Sequence, residues 1–203
     1  KKKNESLNLD FILQKRLIEK LPFKLTINQQ DIINNINDLN NTQYRETVLL
    51  QGDVGSGKTI VSILTALPFL QKGLQVAYMA PTEILANQIY NNVIKFLNND
   101  EVKSILLTGS TKNKDEIYDK IKKSTYNFII GTHAIFQENL YFSALAYVII
   151  DEQHRFGVQQ RLYLAEKGIN TNILLMSATP IPRTLALAQY GEIEQVILKE
   201  RPA

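Results

Sequence analysis

The stretch Gly52-Asp53-Val54-Gly55-Ser56-Gly57-Lys58-Thr59 constrains this chain more than any other. It fits G-x-x-x-x-G-K-S/T at every fixed position and follows the apolar run Val48-Leu49-Leu50. A loop that surrounds a phosphate chain with backbone N–H groups must turn without Cβ clashes, which Gly52, Gly55 and Gly57 allow. The apolar segment from Ile60 to Leu67 reads as a buried helix whose N-terminal dipole faces the phosphates. Lys58 is then expected on the β- and γ-phosphates, and the Thr59 hydroxyl on Mg2+, with Ser56 inside the loop. A glycine-rich turn of no function has the same composition. The strand before, the helix after and the Lys-Thr pair in register favour phosphate binding.

At 203 residues the chain suits one α/β domain with a full core and is too short for two nucleotide-binding domains. It contains no cysteine, which excludes disulfides, thiol catalysis and cysteine-ligated zinc. There is neither a long apolar run nor a signal-peptide pattern, so a cytoplasmic location is expected. A net charge of +3 permits nucleic-acid contact without demonstrating it.

Leu9, Ile12, Leu13 and Leu17 share one face of a short helix that Pro22 ends, and Thr26 caps a second helix running to about Leu39. From Thr47 onward, apolar runs alternate with helical segments. Strands are predicted at Val48–Gln51, Gln75–Ala80, Lys103–Thr108, Asn127–Gly131, Ala146–Ile150 and Ile173–Ser177. Helices are predicted at Lys58–Gln71, Glu83–Leu97, Lys114–Ser124, Gly157–Lys167 and Ile181–Tyr190, with a short turn near Ala134–Phe136. This alternation, with the phosphate loop after the first strand, implies an α/β fold, a parallel sheet with helices on both faces, whose ligands bind at the carboxyl ends of the strands. Lys112, Lys114, Lys120, Lys122 and Lys123 mix with Asp115, Glu116 and Asp119 and read as a solvated helix face.

Tyr147-Val148-Ile149-Ile150 is an apolar strand that stops in Asp151-Glu152-Gln153-His154. Folding alone does not require two carboxylates, an amide and an imidazole there. Asp151 is placed to reach the Mg2+ on Thr59, and Glu152 to polarise a water for attack on a γ-phosphate. The two carboxylates would also serve as a solvated helix cap. His154 is expected to link nucleotide state to a neighbouring element.

These motifs occur in order with Pro81-Thr82-Glu83, Thr108-Gly109-Ser110, Gly131-Thr132-His133 and Ser177-Ala178-Thr179-Pro180. The set resembles superfamily 2 helicases and translocases over nearly the whole first motor domain. Leu21-Pro22-Phe23, Gln29-Gln30, Asp151 to Gly157 and Met176 to Leu187 are similar, more narrowly, to the bacterial RecG helicases of branched DNA. The transcription-repair coupling factor is the nearest relative to exclude. Its acidic motif usually reads Asp-Glu-Glu-His, so Gln153 favours RecG.

The resemblance implies an ATP-dependent DNA helicase, a likeness in which Lys58, Asp151, Glu152 and His154 are catalytic. Gln29 resembles the adenine-sensing glutamine of such motors, because a side-chain amide reads both donor and acceptor on a base edge. Pro81, Thr82, Glu83, Thr108, Gly109, Gly131, Thr132 and His133 correspond to stretches that grip one DNA strand. Thr82 and Thr132 would equally be plain helix caps, and Gly109 a plain turn. Gln153, His154, Ser177 and Thr179 correspond to the coupling motifs, with the Ser and Thr hydroxyls able to bond the acidic cluster. Residues 1–22 are expected to form a leading segment, 23–194 the motor domain and 195–203 the start of a connector. A second RecA-like domain and an N-terminal wedge domain are expected outside these residues, and the protein is expected to be a monomer. A nucleotide-binding switch that does not move on nucleic acid is the non-motor alternative.

Overall fold

A computed structural model describes residues 5–97, 101–151, 163 and 170–199. In chain order the elements are α1 (Ile12–Lys20), α2 (Ile27–Asn40), β1 (Thr47–Gly52), α3 (Lys58–Gln71), β2 (Gln75–Met79), α4 (Glu83–Phe96), β3 (Ser104–Leu107) and α5 (Lys114–Lys122). Then follow β4 (Phe128–Gly131), a single 3-10 turn (His133–Phe136), β5 (Leu145–Asp151), β6 (Asn172–Ser177), α6 (Arg183–Tyr190) and β7 (Glu194–Leu198). The expected helix Gly157–Lys167 lies outside the described residues, Tyr163 excepted.

The strands form one sheet in the order β3-β4-β2-β5-β6-β1-β7, and every adjacent pair is parallel. Successive side chains of a strand face opposite sides, and a sheet buried on both sides therefore reads as an unbroken apolar run. In β1, Val48 and Leu50 join the core under α1 to α4, whereas Leu49 joins the core under α5, the 3-10 turn and α6. Leu64 and Leu67 of α3 and Ala86 and Val93 of α4 pack into the first layer. Tyr118 and Ile121 of α5 and Ala186 of α6 pack into the second.

Local signals set the helix ends as expected. Thr26 accepts from the Gln29 N–H at 3.1 Å and Gln29 Oε1 accepts from the Thr26 N–H at 3.0 Å, closing a reciprocal capping box. Past the end of α3, Gly73 takes φ +78° and the Leu74 N–H reaches back to the Phe69 carbonyl, a left-handed helix terminus that suits glycine.

Two features depart from the expectation. Glu194–Leu198, read from sequence as the edge of a connector, is strand β7 and pairs with β1 from Val48↔Glu194 to Gly52↔Leu198. The leading segment is also part of the fold, because Leu9, Leu13, Leu17 and Leu21 belong to the first core layer. Its docking depends on Pro68, which lies inside α3 and has no N–H to offer the carbonyl of Leu64 four residues earlier. That carbonyl accepts instead from Gln14 Nε2 of α1 at 2.9 Å. Gln14 and Asn37 of α2 complete the contact with a reciprocal amide pair at 3.0 and 2.8 Å.

Candidate functional site

The sheet order brings the sequence motifs to one carboxyl edge. Along that edge β3 leads into Thr108, β4 ends at Gly131, β2 leads into Pro81 and Thr82, β5 ends at Asp151, β6 at Ser177 and β1 at Gly52. Gln51 lies beside Ser177, and Asp151 beside Met176. The phosphate-loop and acidic motifs thus share one half of the edge, and the threonine- and glycine-bearing motifs share the other.

The loop is built by steric exclusion. Gly55 and Gly57 have φ of +81° and +92°, values that cost other residues strain. A Cβ on Gly57 would lie 2.2 Å from Gln29 Nε2, and one on Gly52 would lie 2.5 Å from Ser56 Oγ. Gly57 is the N-cap of α3 and supplies no side-chain cap, and α3 has no acid in its first turn. The start of α3 is therefore open to an anion. Lys58 Nζ donates to the carbonyls of Gly52 at 2.5 Å and Asp53 at 3.1 Å, which holds the ammonium across the loop mouth. Ser56 Oγ is buried against Gly52 and has no hydrogen-bond partner among the described residues.

Gln29, the expected adenine sensor, is bonded to the phosphate loop itself. It is fully buried, and its amide joins the Thr26 N–H to the Ser56 carbonyl, to which Nε2 donates at 3.1 Å. This fixes the loop on the start of α2 and does not present an open edge to a base. The apolar surface next to the loop is instead a cavity of about 380 Å3 bounded by Leu17, Phe23, Gly57, Thr59, Ile60 and Phe96. Phe23 is partly exposed there. Sequence reading noted Phe23 only as part of the Leu-Pro-Phe segment, and its distance from the loop in sequence hid the contact.

Asp151 is half-buried at the end of β5, while Glu152, Gln153, His154, Arg155 and Phe156 lie outside the described residues. Ser177 Oγ and Thr179 Oγ1 are 3.2 Å apart, and the Thr179 N–H donates to Ser177 Oγ at 3.2 Å. The two hydroxyls thus close a turn at the end of β6.

On the other half of the edge, Thr82 caps α4 by accepting from the Leu85 N–H at 3.3 Å. Glu83, in the first turn of that helix, accepts from the Ser110 N–H and the Ser110 hydroxyl, each at 3.2 Å. These bonds, the backbone one foremost, hold its carboxyl below the ordinary glutamate range. Lys114 Nζ donates to the Gly109 carbonyl at 3.0 Å and completes the turn. Pro81, Thr82, Glu83, Gly109 and His133 are exposed, whereas Thr108, Gly131 and Thr132 are buried.

Gly131, expected among the strand-gripping residues, sits where the packing leaves no room for a side chain. A Cβ there would lie 1.9 Å from the Leu107 carbonyl oxygen, the Gly131 carbonyl accepts from the Ala80 N–H at 2.7 Å, and the Thr132 N–H donates to Leu107 at 3.3 Å. Thr132 caps nothing with its hydroxyl. The lysines of α5 behave as a solvated face, with exposed Lys120–Glu116 and Lys123–Asp119 pairs at 2.7 Å.

Comparison with known proteins agrees with this geometry. The profile of the DEAD/DEAH box helicases matches residues 26–188. The chain is 47% identical over 201 residues to the ATP-dependent DNA helicase RecG of Borreliella burgdorferi, covering 98% of this chain and 29% of that protein. It is 48% identical over 206 residues to the Aquifex aeolicus protein of the same name, covering 26% of it. The chain therefore spans less than a third of the length of these relatives. Among solved structures, RecG bound to a three-way DNA junction superposes with a TM-score of 0.82 at 40% identity, covering 98% of this chain and 27% of that one. The DEAD-box helicase Mss116, at 24% identity and a TM-score of 0.72 over 95% of this chain and 44% of that one, shares the fold. A seven-stranded parallel RecA-like sheet, a phosphate loop closing β1 and a family profile that takes in most of the sequence place this chain in the DEAD/DEAH box helicase family.

Proposed function

We propose that this chain is the first motor domain of a RecG-type ATP-dependent DNA helicase, which remodels branched DNA such as stalled forks and recombination intermediates. The carrying observation is the division of one sheet edge into a phosphate half and a strand-contact half, joined where β2 pairs with β5. The names of the RecG relatives and the junction-bound RecG structure support the DNA class.

In this reading Lys58 leaves the carbonyls of Gly52 and Asp53 for the β- and γ-phosphate oxygens, and Ser56 Oγ and the first N–H groups of α3 bind the same chain. Phe23 and Ile60 flank the base. Thr59 and Asp151 are hard oxygen donors on neighbouring elements and suit Mg2+. Mg2+ bound there would neutralise charge on the phosphates as they separate. Glu152 orients the attacking water, and Gln153 and His154, with the Ser177–Thr179 turn, carry the change to neighbouring elements. Thr82, the Gly109–Ser110 turn and His133 contact one strand without reading bases, and Thr108, Gly131 and Thr132 shape that surface from beneath.

A second RecA-like domain completes the ATP site with arginines, a wedge domain recognises the branch, and the whole acts as a cytoplasmic monomer. The 203 residues alone bind nucleotide weakly and turn it over little.

The test is ATP hydrolysis by the full-length protein with a model fork and with an equal mass of linear duplex. The reading expects stimulation and unwinding by the fork, loss of both in Lys58→Ala, and binding without turnover in Glu152→Gln. Equal stimulation by linear duplex with no unwinding would move the protein to the double-strand translocases. No response to DNA would make it a nucleotide switch.

A further inference from the structure

The helix that follows the phosphate loop meets the sheet through buried polar contacts set in a largely apolar seam. Ser62 and Thr65 of α3 are fully buried, as are Tyr78 of β2 and Tyr147 of β5. Ser62 Oγ is hydrogen bonded to Tyr78 Oη at 3.2 Å, and Thr65 Oγ1 to Tyr147 Oη at 3.1 Å. Apolar burial is non-directional and leaves a helix free to rotate or slide by small amounts. A hydrogen bond fixes distance and direction, so the two phenols set how α3 sits on the sheet.

The phenols differ in what lies beyond them. Tyr147 stacks on Phe69, with ring centroids 4.6 Å apart, one turn further from the loop. Tyr78 sits under the loop itself, because the same Ser62 hydroxyl donates to the Thr59 carbonyl at 2.6 Å. Burial raises the Tyr78 pKa most, the charge of Asp151 raises it further, and hydrogen bonding with Ser62 and Thr59 acts in the opposite sense. The phenol is a neutral hydroxyl at all working pH values, within electrostatic reach of both residues assigned above to the divalent ion. In register, Tyr78 lies beside Ile149, two residues before Asp151.

We propose that Tyr78 is a positioning residue for the cation side of the phosphate site: through Ser62, its hydroxyl holds Thr59 at the start of α3 in place against Asp151 at the end of β5. The inference rests on the assignment of Thr59 and Asp151 to Mg2+ in the proposed function. It predicts that loss of one buried oxygen atom weakens the magnesium complex of a nucleotide more than the nucleotide itself.

The measurement is binding of a fluorescent ADP to the full-length protein, with Mg2+ and with EDTA, for wild type, Tyr78→Phe and Tyr147→Phe. Each variant loses one buried hydroxyl pair from the same seam, so their melting temperatures fall together. Tyr78→Phe is expected to weaken Mg-ADP about 5-fold, the scale of one lost hydrogen bond, and to leave metal-free ADP within about twofold. Tyr147→Phe is expected to change neither. The electron paramagnetic resonance spectrum of Mn2+ bound with ADP should change in Tyr78→Phe alone. Equal weakening of both nucleotide forms by Tyr78→Phe, or identical behaviour of the two variants, would overturn the inference and leave the helicase reading standing. Failure of the wild type to bind ADP in either condition would overturn that reading and this inference with it.

Discussion

Gln14→Leu removes the amide that docks α1 on the phosphate-loop helix while keeping nearly the same volume. Three hydrogen bonds disappear: the donation to the Leu64 carbonyl at 2.9 Å and the amide pair with Asn37 at 3.0 and 2.8 Å. Gln14 and Asn37 are both buried, so water cannot readily replace what is lost. Two polar groups, the Leu64 carbonyl and the Asn37 amide, are left without these partners. At about 1–3 kcal/mol for each buried group so exposed to desolvation, and with a small gain from the added apolar surface, the expected loss is about 3 kcal/mol. Urea unfolding of the chain, followed by circular dichroism, measures it.

The diagnostic variant is Pro68→Ala. Alanine restores an N–H at the position that can serve the Leu64 carbonyl from within α3, so the carbonyl no longer depends on Gln14. The double variant should therefore be more stable than the sum of the single effects predicts, by about 1–2 kcal/mol of coupling. Additive effects within about 0.5 kcal/mol would refute the argument that the proline created the need for the glutamine.

Two further predictions concern the strand-contact half of the edge. The Glu83 carboxyl is held below its ordinary range by the Ser110 N–H, so its contribution to the turn is complete above the unfolded glutamate pKa and is lost as pH falls through the lower folded value. Nuclear magnetic resonance of the Ser110 amide should show a titration below the ordinary glutamate range, and Glu83→Gln should abolish it. An amide shift at an ordinary glutamate pKa would contradict the contact. Gly131→Ala places a methyl group against the Leu107 backbone and should cost about 2–4 kcal/mol of stability through overpacking and backbone shift. A variant of unchanged stability that loses only DNA affinity would return Gly131 to the strand-gripping role.

What could be read from sequence was what the chain states locally. The glycine spacing from Gly52 to Gly57, the apolar runs of β1 to β6 and the cap at Thr26 each depend on neighbours within a few residues. β7 was missed because it is an edge strand. Only Val196 and Leu198 of its five residues are buried, and its pairing partner β1 lies at the other end of the chain. The contacts of Gln29 and Gly131 were not legible for a related reason. Gln29 has the chemistry to read a base, but the loop carbonyl of Ser56 takes its Nε2. Gly131 resembles a flexible contact, yet what excludes a side chain there is the Leu107 carbonyl on the neighbouring strand. Tyr78, Gln14 and Phe23 act through contacts between elements distant in sequence, and no local pattern announces them.

The arrangement also limits how the proposed helicase could couple ATP to movement on a nucleic acid strand. The phosphate half and the strand-contact half stand on the same edge of one parallel sheet, and the strands between them are locked: Met79 pairs with Ile150 on one side and with Gly131 on the other, and the Ala80 N–H is held by the Gly131 carbonyl. A packed core has low compressibility and does not deform continuously. If Thr59 and Asp151 hold the cation as proposed, a change there is not carried to Thr82 and Gly109 by gradual bending of the sheet between them. In the proposed helicase the second motor domain is the body that contacts both halves, closing on the phosphate half when nucleotide is bound and carrying the strand past the other as it reopens. The exposed Val54 at the tip of the phosphate loop, Ile84 and Leu85 at the start of α4, and Leu185 and Leu187 on α6 supply apolar surface on or near that edge for such a body, which is the geometry the second motor domain of the proposed helicase would need.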